Sequence, residues 1–399
     1  MSIRTFTINV IAPQTQFPYT LPSSGQAVAI GTNYATDVRP SSHTQTQWAY
    51  SMFSSFGSGA YVADYSFGGA YVLAGTGGHN HPPNVGACLF DFADATWKLL
   101  ANANGVAWRS NDYQDADMTG APYWEVSGYS GVPAPPHPYR HMVGIKTANG
   151  GGSKGSIVYM CRAAVGGLAR GSSGIHRFDL DTRLWSRVTN STPSFGADVE
   201  SDAVVDDAVG RVYGLANAIH YQNKLPTLST STGVLTETVI PTPNYYGSGY
   251  PSAFLHPTHR LLVHHRAGTM QAINVDSPGS GFTLLTVNGL AASAATASSN
   301  AFCYYPPTGN FYWMPPDGGN TLTRLVPPAS NPLTSAWTVD TVTISLVGGG
   351  AIPPAGDRTQ NASAYRSLCF AEKTGCLAWI AGETVSGTRR SVYLLKPST

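Results

Sequence analysis

Short apolar runs in this chain are broken by polar or glycine turns, and one hairpin pattern returns along most of its length. It opens over 65–73, with Gly68-Gly69 at its turn, and recurs over 205–213, 256–262, 305–312 and 370–379. Each copy reads as an apolar strand, a tight turn and a second apolar strand, and most are about fifty residues apart. The turn landmarks are Gly69, Gly155, Gly210, His259, Gly309 and Gly375. A hairpin repeated at that period predicts an all-β chain forming a single β-propeller over 1–399, with six blades. A seventh blade would have to come from 18–48.

The predicted blades cover 59–100, 140–188, 201–240, 252–287, 300–344 and 364–396. The segment 101–139 is a long insertion between the first two. Strands are expected at 70–75, 87–92, 156–162, 175–180, 376–381 and 390–395. The last blade is one strand short. The N-terminal stretch 4–11 alternates apolar and polar residues and is expected to supply that strand, which closes the ring and removes its loose edge.

Blades 1 and 2 share a longer signature. Leu89-Phe90-Asp91-Phe92-Ala93-Asp94-Ala95-Thr96-Trp97 matches Arg177-Phe178-Asp179-Leu180-Asp181-Thr182-Arg183-Leu184-Trp185. Asp and Thr after an apolar strand suit a tight turn, because their side chains bond nearby backbone N–H groups. The Trp that follows is expected to sit on the outer strand against a neighbouring blade. With Val72-Leu73-Ala74-Gly75 and Gly77-Gly78 upstream, this stretch resembles a kelch repeat, and blade 2 keeps Val158-Tyr159, Gly166-Gly167, Phe178-Asp179 and Trp185. The chain thus resembles a divergent kelch-type or galactose-oxidase-like propeller. That resemblance implies the fold and says little about activity, since such propellers include enzymes, lectins and scaffolds.

Composition narrows the setting. Charged residues make up only 11% of the chain and the net charge is +1. Without a basic block, nucleic acid is excluded as the main partner, and no apolar run is long enough for a membrane helix. The N-terminus lacks the continuous apolar stretch of a secretory signal, so the chain is expected to be mature already, exported by another route or released by lysis. The five cysteines are expected to be reduced, with Cys369–Cys376 as the alternative pair.

Candidate chemistry is sparse. His79 and His81 could ligate a metal from one loop, given a third ligand such as His137, His141 or Asp115. His256, His259, His264 and His265 crowd one hairpin, but the last two are adjacent in a strand and point to opposite faces. Cys303 and Tyr304 are the pair types a copper-radical oxidase cross-links, yet as strand neighbours they also face apart. No cofactor is called for by any motif. The denser signal is aromatic. Trp108, Tyr113, Tyr123, Trp124, Tyr129 and Tyr139 lie in the long insertion, and Tyr245, Tyr246 and Tyr250 between blades 3 and 4. Rings among few charges suit a protein or carbohydrate interface, or a lid packed on the propeller itself.

The functional expectation is a non-enzymatic structural or adhesive propeller in a larger assembly, concretely a component of a phage virion or its tail. Its partners would be other subunits or a receptor, and its location the virion or the extracellular space. The alternative is a glycan-binding or carbohydrate-active propeller that uses the aromatic loops.

Overall fold

The computed structural model describes residues 16–41, 59–74, 86–106, 125–133, 141–160, 163–165, 168–172, 175–189, 202–215, 224–241, 252–266, 269–289, 302–315, 317–354, 367–383 and 389–398. They form six blades, each of four antiparallel strands labelled a to d from the axis outward. Blade 1 is Ala60–Val62, Ala70–Ala74, Ala87–Asp91 and Thr96–Leu100. Blade 2 is Met142–Ile145, Ser156–Tyr159, Ile175–Asp179 and Trp185–Thr189. Blade 3 is Asp202–Asp206, Arg211–Leu215, Lys224–Ser229 and Leu235–Val239. Blade 4 is Ser252–His256, Leu261–Arg266, Thr269–Asn274 and Thr283–Leu284. Blade 5 is Cys303–Tyr305, Asn310–Trp313, Thr321–Val326 and Trp337–Thr343. Blade 6 takes a, b and c from Leu368–Ala371, Cys376–Glu383 and Arg389–Lys396.

The d strand of blade 6 is Gln26–Ile30, which runs antiparallel to Arg389–Lys396 with Gln26 opposite Lys396 and Ile30 opposite Val392. An N-terminal strand does close the ring, but it is not the one the alternation favoured. The segment 4–11 lies outside the described residues, and Gln26–Ile30 holds the position given to it. Within 18–48 the described residues supply this outer strand and no seventh sheet.

Six apolar layers make up the core, one between each pair of neighbouring blades. The layer between blades 6 and 1 buries Ile30 with Phe90, Trp97 and Val392. Ala27, on the other face of the same strand, is buried in the layer between blades 5 and 6. Period-two alternation thus feeds both faces of every blade into a core. The inner strands touch in cyclic order, and blade 6 returns to blade 1.

The repeated Trp signature locks adjacent blades. Asn33, just past the d strand of blade 6, accepts from the Trp97 backbone N–H at 2.7 Å and donates to its carbonyl at 3.1 Å. Asn104, just past the d strand of blade 1, does the same to Trp185 at 2.7 and 3.2 Å. Thr32 N–H donates to Ala95 O and Ala103 N–H to Arg183 O, both acceptors lying in left-handed turns (φ 57° and 60°). Elsewhere the tail becomes a short parallel strand. Val287–Gly289 lies beside Trp337–Thr343, and Ser345–Leu346 beside Gln26–Ile30. At these four junctions, 6 to 1, 1 to 2, 4 to 5 and 5 to 6, a blade's outgoing chain therefore clasps the outer strand of the next and covers its open edge. Asn33→Ala and Asn104→Ala should each cost about 1–2 kcal/mol in urea unfolding, because two backbone bonds go at once. The two losses should add, since they fall in different interfaces.

The a–b turns follow the predicted landmarks with one correction. Gly69, Gly155, Gly210, Gly309 and Gly375 all have positive φ, between 61° and 75°. In blade 4 that position belongs to Arg260 (φ 57°), not His259. A non-glycine residue there is strained by about 1–2 kcal/mol. Arg260 is held in place by its charge partners: Nη1 lies 2.6 Å from the buried Asp206 carboxylate of blade 3, and Nε lies 3.0 Å from Asp276.

Candidate functional site: the central channel

The six inner strands surround an axial cavity of about 620 Å³. Its wall is mostly apolar, including Val205, Leu255, Phe302, Tyr304, Leu368 and Phe370. Inner strands approach closely where they lack side chains: a Cβ on Gly144 would lie 2.1 Å from the Tyr61 carbonyl oxygen of blade 1. Alanine there would push blades 1 and 2 apart and narrow the packing that shapes the wall.

Charge gathers at the mouth formed by the a–b turns. Lys146 of blade 2 reaches 2.6 Å to Glu372 of blade 6 and 3.3 Å to Asp207 of blade 3. The trio spans the opening, since blades 6 and 3 lie on either side of the blade 1–2 pair. Burial pushes the Lys146 ammonium down, but its bonds to Glu372 and the nearby Asp207 charge more than offset this and hold it above the usual lysine value. Burial raises the Asp207 carboxyl above its ordinary value, with Lys146 opposing and Glu372 adding to the rise. Asn149 steadies the same turn, donating from Nδ2 to the Asp207 backbone carbonyl at 3.0 Å. Asp64 of blade 1 accepts from the Thr147 N–H at 2.6 Å.

The candidates named from sequence fall in different places. His79, His81, Trp108, Tyr113, Tyr123, Trp124, Tyr139, Tyr245, Tyr246 and Tyr250 lie outside the described residues, as do His137 and Asp115. Tyr129 is described and is 38% exposed. It sits on the turn between Val126 and Val132, both buried with Phe178 and Trp185 against blade 2. That part of the insertion is anchored by Glu125, which accepts from Arg187 Nε at 2.9 Å and Nη2 at 2.7 Å, with His176 Nε2 at 3.2 Å.

Burial alone would raise the Glu125 pKa, but hydrogen bonds from His176, Arg187 and the Gly131 backbone hold it down to about 2. A carboxyl depressed in the fold contributes stability above its ordinary value of 4.5 and loses it as pH falls through about 2. Glu125→Gln should therefore flatten the acid limb of stability between those values, removing about 2–3 kcal/mol of pH-dependent change. An unaltered limb in urea titrations against pH would contradict this assignment.

His256 packs against His259 (ring centroids 4.4 Å), Phe311 and Tyr304. Burial first, then the neighbouring His259, lower its pKa to about 4. His264 and His265 are buried in the b strand of blade 4. Among the described residues no three His, Cys, Asp or Glu side chains converge as a metal site. Cys88, Cys303, Cys369 and Cys376 are free thiols, and Cys376 faces Ala371 across the hairpin rather than Cys369. Cys161 lies outside the described residues. Among those described, no helix is long and apolar enough to cross a membrane.

The fold and channel define a six-bladed β-propeller. No family model matches the chain, and no curated protein matches its sequence. Similar solved structures include a fungal alcohol oxidase of the AA5 family in complex with copper, at 9% identity and TM-score 0.43, covering 86% of this chain and 62% of that one. This chain thus spans less than two thirds of the oxidase. An auxiliary nutrient binding protein from Bacteroides ovatus is 11% identical with TM-score 0.44, covering 86% and 70%. The major Malassezia sympodialis allergen Mala s 1 is 10% identical with TM-score 0.46, covering 84% and 91%. At these identities the likeness concerns the fold alone.

Proposed function

We propose that this chain is a non-enzymatic structural or adhesive propeller, built into a larger particle as a component of a phage virion or its tail. The observation that carries this reading is how the few charges are used. Arg260 joins blades 3 and 4, Lys146 joins blades 2, 3 and 6, and Arg187 pins the insertion. These ion pairs tie blades and insertion to one another, which suits a rigid mounting for loops that touch other subunits or a receptor.

The test is to purify particles from lysates of the producing cells and quantify the chain by mass spectrometry. The reading expects fixed stoichiometry with the other particle proteins through a density gradient. A chain that stays at the top of the gradient as a free monomer contradicts it. If that monomer also binds a glycan array, and Trp124→Ala abolishes binding, the carbohydrate-binding alternative takes its place.

A further inference from the structure

The wall of the axial channel divides by chemistry. The charges among its described residues gather at one end, and each already has a partner. Lys146 bridges Glu372 and Asp207, and Arg260 holds Asp206. The wall behind them is uncharged. Val143 and Val205 of blades 2 and 3 stand across the axis from Tyr304 and Phe370 of blades 5 and 6. Both rings are only partly buried, so aromatic surface is available in the lumen. One hydroxyl is available with it. Tyr61, also in the wall, donates to Gly68 O at 2.9 Å and accepts from the Lys373 backbone N–H at 3.2 Å. Among the described residues, no hydrogen bond engages the hydroxyl of Tyr304. Water against so apolar a wall finds few partners, and an apolar occupant displaces it at little loss. At about 620 Å³ the cavity falls within the range of small-molecule sites.

We propose that the channel is a binding site for one neutral, apolar small molecule, which lays a flat ring system against Tyr304 and Phe370 and bonds the Tyr304 hydroxyl through a single polar group. Rings stack well on ring surface, and one directed hydrogen bond fixes orientation. Charged ligands of either sign are disfavoured. Their charge would leave water for an apolar wall, and the mouth has no unpaired ion to receive it. The gap between Glu372 and Asp207 is filled by the Lys146 ammonium. The inference goes beyond the virion reading and does not rest on it. Binding is read on the purified chain, so its failure would leave that reading untouched.

The ketone 6-propionyl-2-dimethylaminonaphthalene tests this on the full chain. It is a neutral fluorophore whose emission moves to the blue in apolar surroundings, and its carbonyl accepts a hydrogen bond. It should bind saturably at one site, with a blue shift, and should not weaken as salt rises. Analogues with a sulfonate or a trimethylammonium in place of the propionyl group should bind about ten-fold more weakly or worse. Tyr304→Phe should weaken the ketone about five-fold. Val205→Trp, which fills the lumen, should abolish binding at an unchanged unfolding midpoint. A second reading needs no variant. Cys303 and Cys369 line the same cavity, so bound ketone should slow their alkylation by N-ethylmaleimide, followed peptide by peptide. Lack of saturable binding overturns the proposal, as does a charged analogue that binds as well as the ketone. So do full affinity in Tyr304→Phe or in a folded Val205→Trp, and thiols that react as fast with the ketone bound as without it.

Discussion

Deleting residues 1–31 should lower the unfolding free energy by at least about 5 kcal/mol and leave a chain that self-associates. The deletion removes Gln26–Ile30, whose five residues all pair with Arg389–Lys396. Ala27 and Ile30 leave two different core layers, because the strand buries both its faces. The loss combines apolar burial, at about 1.5–3 kcal/mol for a large side chain, with ladder bonds worth about 1 kcal/mol each. The freed edge of Arg389–Lys396, apolar from Val392 to Leu395, is then a template for pairing with a second chain. Light scattering and urea unfolding of the purified deletion would check both effects. A monomeric deletion with the wild-type midpoint would show that the strand only rests on the sheet.

Arg260→Gly should cost about 3 kcal/mol even though glycine suits the φ of 57° better than arginine does. The gain from relieving the left-handed conformation is about 1–2 kcal/mol. Against it stands the Asp206 carboxylate, 1% exposed, left without its guanidinium. Stranding a buried charge costs about 3–5 kcal/mol. Adding Asp206→Asn to Arg260→Gly should recover most of the loss, because a neutral amide needs no counter-ion. Urea midpoints of the two single variants and the double variant give the coupling directly. If Arg260→Gly is neutral or stabilising, the ion pair does not join blades 3 and 4 as described.

The contrast between Arg260 and the glycines explains part of what the sequence concealed. Five of the a–b turns were legible because only glycine takes their φ freely, and a glycine between two apolar runs is conspicuous. Arg260 occupies the same position for an electrostatic reason whose partner Asp206 lies 54 positions away, on another blade. Nothing local marks it, and attention falls on the neighbouring histidines.

The closing strand was obscured differently. Gln26-Ala27-Val28-Ala29-Ile30 carries two alanines, whose small side chains give a weak apolar signal. The stretch 4–11 alternates Phe6, Ile8 and Val10 with polar residues and draws the eye first. Ala27 is small because it fits between sheets already filled by Trp379 and Tyr393.

Phe90-Asp91 and Phe178-Asp179 were legible with their Trp partners, and the structure supplies the reason. Asp91 Oδ1 accepts from Ala93 N–H, and Asp179 Oδ1 from Asp181 and Thr182 N–H, which sets each c–d turn. The Asn33 and Asn104 clasps repeat just as faithfully but stand outside the blade boundaries, so no periodic search of hairpins would catch them. The channel was the least legible feature. Each blade contributes only a short inner strand, and the Lys146, Asp207 and Glu372 trio comes from three turns that are far apart in sequence.

Amide hydrogen exchange read by mass spectrometry tests the closed ring most directly. If Gln26–Ile30 is the outer strand of the last blade, its amides should open only with the sheet. Peptides covering 26–30 and 389–396 should then exchange at matching rates, slowed to the level of the global unfolding equilibrium. Exchange of 26–30 at the rate of an unstructured peptide, with 389–396 still protected, would contradict closure by this strand.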